Sequence, residues 1–234
     1  MGRPPIKKSG PMTATEHQRR WRRKLAREKK LANPKLKAKQ ERREAHERET
    51  AAKILALPNK KYGVIYGDPE WRFEPWSRKT GMSRAADNTF STSATKVIKA
   101  RDVPSIAAKN CVLFLWATIP MLLDAHEVMT GWGFEYKSHV IWEKPDLGAG
   151  YWVREQHELL LIGTRGKIPA PAPGKQWPSV VKAPRGTRHS QKPEIFAEMI
   201  EKLYPTMPKI ELNRVGKPRP GWGAWGAEVE EGAS

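Results

Sequence analysis

Tyr62-Gly-Val-Ile-Tyr-Gly67 runs directly into Asp68-Pro69-Glu70-Trp71. β-favouring residues end at a glycine and an acidic residue follows at once, as where a short buried strand opens into a loop. Outward from there, Cys111-Val-Leu-Phe-Leu-Trp116 is nearly all apolar, as in a parallel strand buried on both faces. Met121 to Thr130 reads as a helix ending at Gly131. Lys137 to Trp142 and Glu158 to Ile162 read as two more strands. Pro193 stands where a helix begins, and Ile195, Phe196, Met199, Ile200 and Leu203 make one apolar stripe along it. Lys209 to Leu212 gives a closing strand. Strands alternating with helices predict an α/β chain with an open, mostly parallel sheet. Ligands of such sheets bind beyond the carboxyl ends of the strands, which is where Asp68 falls.

The residues there suit a planar base bearing an exocyclic amino group. The Asp68 carboxylate and a backbone carbonyl can accept the two amino hydrogens, Pro69 stiffens the turn, and Trp71 offers a flat face. The plainer alternative is an Asp-Pro turn capped by a core tryptophan. Neither Gly-x-Gly-x-x-Gly nor a phosphate-binding loop is present.

Charge divides the 234 residues unevenly. There are 43 Lys+Arg against 25 Asp+Glu, a net charge of +18. Residues 1–61 hold 20 of the basic residues and only 6 of the acidic ones. A polyanionic partner, nucleic acid before membrane, is the expectation. Five of the six residues from Arg19 to Lys24 are basic (Arg19, Arg20, Arg22, Arg23 and Lys24), with Trp21 among them. They read as a phosphate-binding arm that ignores sequence; a solvated charged helix is the other reading. A helix is expected from Thr13, where Thr13 and Glu16 have capping-box spacing, with a break at Pro34. The organisation expected is a basic arm over 1–57, helical or disordered, and an α/β domain over 58–234. The single cysteine excludes a disulfide framework and a cysteine-cluster zinc site. His17, His46, His126, His139 and His157 lack metal-ligand spacing, so no metal is expected. The apolar run from Cys111 to Ile119 is too short for a bilayer, and no secretory leader is visible. Membrane association is not expected; a soluble intracellular protein is.

Several stretches, in order, resemble the adenine N(6)-methyltransferase family named for the large subunit of the eukaryotic mRNA adenosine methyltransferase, in its bacterial and phage branch. The marker of that family, a strand followed by Asp-Pro-Pro-Trp, is matched by Val64-Ile-Tyr-Gly-Asp-Pro-Glu-Trp-Arg-Phe73. Further matches are Leu113-Phe-Leu-Trp116, Gly131-Trp-Gly-Phe134, Gly150-Tyr-Trp-Val-Arg154 and Glu158-Leu-Leu-Leu-Ile-Gly-Thr-Arg-Gly166. Toward the C-terminus come His189-Ser-Gln-Lys-Pro-Glu194, Lys209-Ile-Glu-Leu212 and Arg219-Pro-Gly-Trp-Gly-Ala-Trp-Gly226.

The resemblance implies a Rossmann-like fold, S-adenosylmethionine as cofactor, and methylation of the adenine amino group in DNA or RNA, with DNA favoured. By the same carry-over, Asp68, Pro69, Glu70 and Trp71 form the catalytic motif, Asp68 orienting the amino group and Trp71 holding the base. Lys192 pairs with the methionine carboxylate, and Asp68, His189, Asn213 and Arg214 complete the cofactor side, Arg214 toward the ribose. The loop from Arg72 to Ser93, with Arg78, Lys79 and Arg84, lies over the nucleic acid. Two positions depart from the family. Glu70 replaces the second proline, costing rigidity and adding a carboxylate, with its backbone carbonyl still expected to be free. Ala227 replaces the asparagine of the closing Trp-Gly-Asn-Glu, for which Asn213 can substitute in part. A non-catalytic nucleic-acid-binding protein with a decayed site is the rival reading.

Overall fold

The computed structural model describes residues 18, 57–72, 92–148, 150, 152–186, 191–226 and 229. All but the first belong to one unit, residues 52–234. The expected helix from Thr13, the basic cluster at 19–24, Arg78, Lys79, Arg84, His189 and Ala227 lie outside the described residues.

Seven strands form one sheet: β1 (Tyr62–Gly67), β2 (Ala107–Ala117), β3 (Glu135–Glu143), β4 (His157–Arg165), β5 (Val180–Lys182), β6 (Lys209–Leu212) and β7 (Trp222–Trp225). Their order is β5-β3-β4-β2-β1-β6-β7. β1 is parallel to β2 and β6, β6 to β7, and β3 to β5; β4 is antiparallel to both β2 and β3. Six strands therefore run one way and β4 alone runs back, a mostly parallel α/β sheet consistent with a Rossmann-like methyltransferase fold.

Period-two alternation sorts the strand residues onto two faces. Ile65, Leu113, Leu115, Leu161 and Ile210 join one core cluster; Val64, Tyr66, Phe114, Trp116 and Leu160 join the other. The first face is covered by α1 (Thr95–Lys99), α2 (Val103–Ile106) and α3 (Leu122–Gly131), which contribute Ile98, Val103, Val128 and Met129. The second is covered by α4 (Glu194–Leu203), which buries Phe196, Met199 and Ile200 completely. Burying side chains of that size stabilises by about 1.5–3 kcal/mol each.

Three expectations are adjusted. β2 is buried on both faces as its apolar run implies, but it is parallel to β1 only and antiparallel to β4, from Cys111↔Arg165 to Ala117↔Leu159. An apolar run reports burial, not strand direction. α3 does end at Gly131, but the left-handed residue that closes it is Gly133: it takes φ +80, its N–H donates to Thr130 O, and the Phe134 N–H donates to Met129 O. That pair of bonds closes the last turn around a left-handed residue. Finally, β6 does not close the sheet, because Trp222–Trp225 adds an outer strand parallel to it. Glycine on both sides and within it gives this short segment little strand signal in the sequence.

Candidate active site

From β1 the chain crosses to β2 on one side, while β6 pairs on the other, with α3 and α4 on opposite faces. This is the strand position where a parallel sheet opens a crevice at its carboxyl edge. A cleft of about 420 Å³ lies there, lined by Tyr66 and Asp68 from β1 and its loop, Lys192 and Glu194 at the start of α4, and Glu211, Asn213 and Arg214 at the end of β6. Four residues expected to act together from the sequence (Asp68, Lys192, Asn213 and Arg214) share this cleft.

Asp68 anchors the loop: its N–H donates to Leu212 O (3.3 Å), and its own carbonyl accepts from Asn213 Nδ2 (3.0 Å). The Lys192 ammonium lies 2.5 Å from Asp68 Oδ2 and 3.4 Å from Glu158 Oε2. Glu158 in turn meets Lys144 at 2.5 Å. The result is a line of alternating charge, Lys144–Glu158–Lys192–Asp68, whose two lysines also lie over Trp142 (5.0 Å) and Trp116 (5.5 Å). Such ammonium–ring contacts favour the charged form. Burial raises the Asp68 carboxyl above its ordinary range against the pull of Lys192, with Glu158 and Glu70 adding to the rise. Burial likewise acts to discharge Lys192, but Asp68 and Glu158 outweigh it and hold the ammonium above its ordinary value. For Glu158, burial is overruled by Lys192 and Lys144, which hold the carboxyl low.

At the far end of the cleft, Glu211 faces Arg214 (Nη1 to Oε2, 3.1 Å), and Arg214 Nε donates to Lys217 O (3.0 Å). Burial, with Glu194 and Asp68 adding to it and Arg214 opposing, pushes Glu211 to about 7. Asn213 holds the corner between strand and loop. It has φ 59, its N–H donates to Trp225 O (2.6 Å), and a Cβ on Gly226 would come within 2.8 Å of its Cα. The left-handed conformation suits asparagine, and the close approach requires glycine.

The other two motif residues face elsewhere. Glu70 points away from Lys192 to a bidentate pair with Arg101, and its backbone carbonyl, expected to be free, accepts from the Ser93 N–H (2.8 Å). Trp71 takes the core position that was the plainer reading of the motif: it is 6% exposed and its indole N–H donates to Trp116 O (2.9 Å). Packing against the first core face outweighs presentation of the ring, since an indole buries a large apolar area. The Pro69 carbonyl accepts from the Trp71 N–H at 2.8 Å and keeps a second lone pair.

Sequence reasoning missed Lys144, Glu158, Arg101 and Glu211 as members of this region. Glu158 and Glu211 lay inside quoted motifs, one at a strand's beginning and one within a strand. In an all-parallel sheet a strand's beginning lies on the far edge. The reversal of β4 brings Glu158 to the edge where Asp68 stands. For Glu211, an acidic residue held between the buried Ile210 and Leu212 was the available signal.

A ligand that fits this cleft carries an anionic group for Lys192, a cationic centre among Asp68, Glu194 and Glu211, and polar hydrogens for Glu211 and Asn213. An amino-acid head joined to a sulfonium and a nucleoside has those parts. Among the described residues no group of three or more His, Cys, Asp or Glu converges as metal ligands, and no helix is long and apolar enough to cross a membrane.

Comparison with known proteins agrees with this geometry. The family model MT-A70 matches residues 62–228. A protein named Type II methyltransferase M.MunI, from a Mycoplasma species, is 34% identical over 195 residues, covering 75% of this chain and 81% of its own. The human N(6)-adenosine-methyltransferase catalytic subunit METTL3 is 25% identical over 181 residues, and the zebrafish METTL3 subunit matches at the same identity. These matches cover 73% of this chain but only 28% of each of those longer proteins. With one family model spanning the whole sheet, from Tyr62 in β1 past Trp225 in β7, this chain belongs to the MT-A70 family and is a methyltransferase of its bacterial branch.

Proposed function

We propose that this protein transfers a methyl group from S-adenosylmethionine to the exocyclic amino nitrogen of adenine in DNA. The observation that carries the reading is the cleft in which Asp68 leaves β1 opposite Lys192 and Asn213. S-adenosylmethionine bound there supplies an electrophilic methyl. The adenine amino nitrogen is a poor nucleophile because its lone pair is delocalised into the ring. Asp68 Oδ accepts one amino hydrogen and the Pro69 carbonyl the other, which holds the nitrogen in line and favours a more tetrahedral, lone-pair-bearing geometry. The Asp68 carboxylate also opposes the positive charge that develops on the amine, and it does so already oriented. The new N–C bond would form as the S–C bond breaks, a neutral thioether would leave, and the amine's surplus proton would pass to water at the open cleft. Lys192 exchanges Asp68 for the ligand's carboxylate, and Glu211 with Arg214 receives the ribose hydroxyls. Trp71 fixes the loop on the core, and a base in duplex DNA must be flipped to reach the cleft.

Residues 58–234 carry this chemistry, and residues 1–57, with Arg19, Arg20, Arg22, Arg23 and Lys24, add phosphate contacts. Arg78, Lys79 and Arg84 lie on the nucleic-acid side, and His189 on the cofactor side. The protein works in the cytoplasm of a bacterial or phage-infected cell. DNA is favoured over RNA by the bacterial form of the motifs and by the Type II methyltransferase relative, which matches over most of both chains.

The test is transfer of radiolabelled methyl to unmethylated duplex DNA, single-stranded DNA and RNA, beside an Asp68→Ala control. Label on adenine of DNA, absent from the control, is expected. Label confined to RNA overturns the choice of substrate. No label together with no cofactor binding leaves a nucleic-acid-binding protein with a decayed site.

A further inference from the structure

We propose that Arg101 and Asn213 are positioning residues that brace the Asp68 loop through the Glu70 side chain, so that a ring of polar contacts supplies the stiffness a proline would give at that position. The proposal rests on the methyltransferase reading of the site and assigns Glu70 a supporting role within it.

Four segments meet at Glu70. Arg101, just beyond α1, presents Nη1 to Glu70 Oε2 at 3.1 Å and Nη2 to Glu70 Oε1. Asn213 Nδ2 donates to the same Oε2 (2.7 Å) and to the Asp68 carbonyl (3.0 Å), joining the carboxylate to the backbone of the catalytic residue. The Asn213 N–H donates to Trp225 O, and the Trp225 ring lies 5.5 Å from the Arg101 guanidinium. Arg101, Glu70, Asn213 and Trp225 thus close a circle. An ionised carboxylate has about four lone-pair directions, and the two Arg101 nitrogens with Asn213 Nδ2 occupy three of them. A carboxylate held this way is tied to its neighbours on both oxygens, as a brace requires. Burial alone would raise its pKa, yet Arg101 and the hydrogen bonds together hold it below the ordinary value, as a permanently ionised strut requires. Bidentate guanidinium–carboxylate geometry fixes orientation as well as distance. The Arg101 and Glu70 side chains are only 11% and 23% exposed, so water does little to loosen the pair.

Amide hydrogen exchange at Asp68, Trp71 and Arg72, measured on the protein alone, tests the brace. Arg101→Ala is expected to speed exchange there about tenfold or more, and to do so by less than about twofold in a Glu70→Pro background, because the ring then replaces the strut. Equal acceleration in both backgrounds, or none in the single variant, overturns the proposal. Glu70→Gln keeps the shape and removes the charge; it gives a second reading if Arg101→Ala does not fold, with an expected acceleration of about threefold. Unchanged exchange in Glu70→Gln also overturns it. In methyl transfer, Arg101→Ala is expected to lower kcat about tenfold to hundredfold and leave the cofactor KM unchanged, the split a positioning role produces. Exchange is read without turnover, so a wild-type protein that transfers no methyl would sink the proposed function while the exchange data still decide the brace.

Discussion

Two carboxylates two residues apart, Asp68 and Glu70, stand on one loop in opposite circumstances. Asp68 meets a single ammonium and has its carboxyl raised by burial; Glu70 meets a fork of guanidinium nitrogens plus an amide and is held low. On the proposed function the Lys192 pair is the exchangeable one, since an ammonium is a compact charge with rotatable donors that a ligand carboxylate would take over. The Arg101 pair is closed, because its planar fork already matches its partner. Working residues keep partners they can leave, and supporting residues keep partners they cannot.

The strongest way to break this contrast is at Asp68 itself. Asp68→Ala is expected to lower kcat about 10³-fold or more while the protein stays folded, as Lys192 retains Glu158. Radiolabel transfer beside a thermal melt checks both halves. Next comes Lys192→Met, expected to weaken S-adenosylmethionine about 30-fold or more in calorimetry, because the ligand carboxylate loses its buried partner. A Glu158→Gln substitution removes only the second hold on Lys192, and about three- to tenfold weaker cofactor binding is the expectation. If Glu158→Gln instead matches Lys192→Met, the line of charge acts as one unit and the exchangeable pair is the wrong description.

The smallest effect concerns pH. Glu211 ionises at about 7, so between pH 6 and 8 the cleft gains a negative charge. Affinity for a cationic sulfonium ligand should rise about two- to fivefold over that range, and Glu211→Gln should flatten the rise. Folding stability moves the other way. A carboxyl whose folded pKa is raised contributes fully below its ordinary value near 4.5, and its contribution is lost as pH rises through about 7. A cofactor titration and a denaturant titration across the same pH values read the two signs separately. Truncation of residues 1–57 should flatten the salt dependence of DNA binding with cofactor affinity unchanged.

Much of the scaffold was legible because buried strands announce themselves. β1 and β6 fall at the residues expected, since a short apolar segment bounded by glycine or proline has few other uses. The grouping of Asp68, Lys192, Asn213 and Arg214 was legible through motifs, because each stands at the end of an element that the sheet aligns. What was not legible depends on direction and reach. The reversal of β4 leaves no mark in Leu159, Leu160 and Leu161, which are apolar whichever way the strand runs, and with it went Glu158. Arg101 is an ordinary basic residue at a helix end until the fold brings it to Glu70 across 31 positions of chain. Trp71 shows the same limit: composition says aromatic, and only packing says which side of the loop it serves.

The reversed strand also shapes how such a chain can diversify. A hairpin-type return from β3 to β4 starts and ends on the edge where Asp68 stands, with the Lys144 N–H donating to Gln156 O (2.8 Å), whereas a crossover would hide a connection of that length behind the sheet. Lengthening or recomposing that return would re-tailor the surface beside the cleft. Asp68, Asn213 and Arg214 come from other segments, and only Lys144, which pairs with Glu158, ties the return to the line of charge. Ser138 to Ile141 and Leu159 to Ile162, in continuous ladder register, would absorb the change without re-threading. With Lys144 kept, this return can change in length and composition while the sheet around it stays as it is.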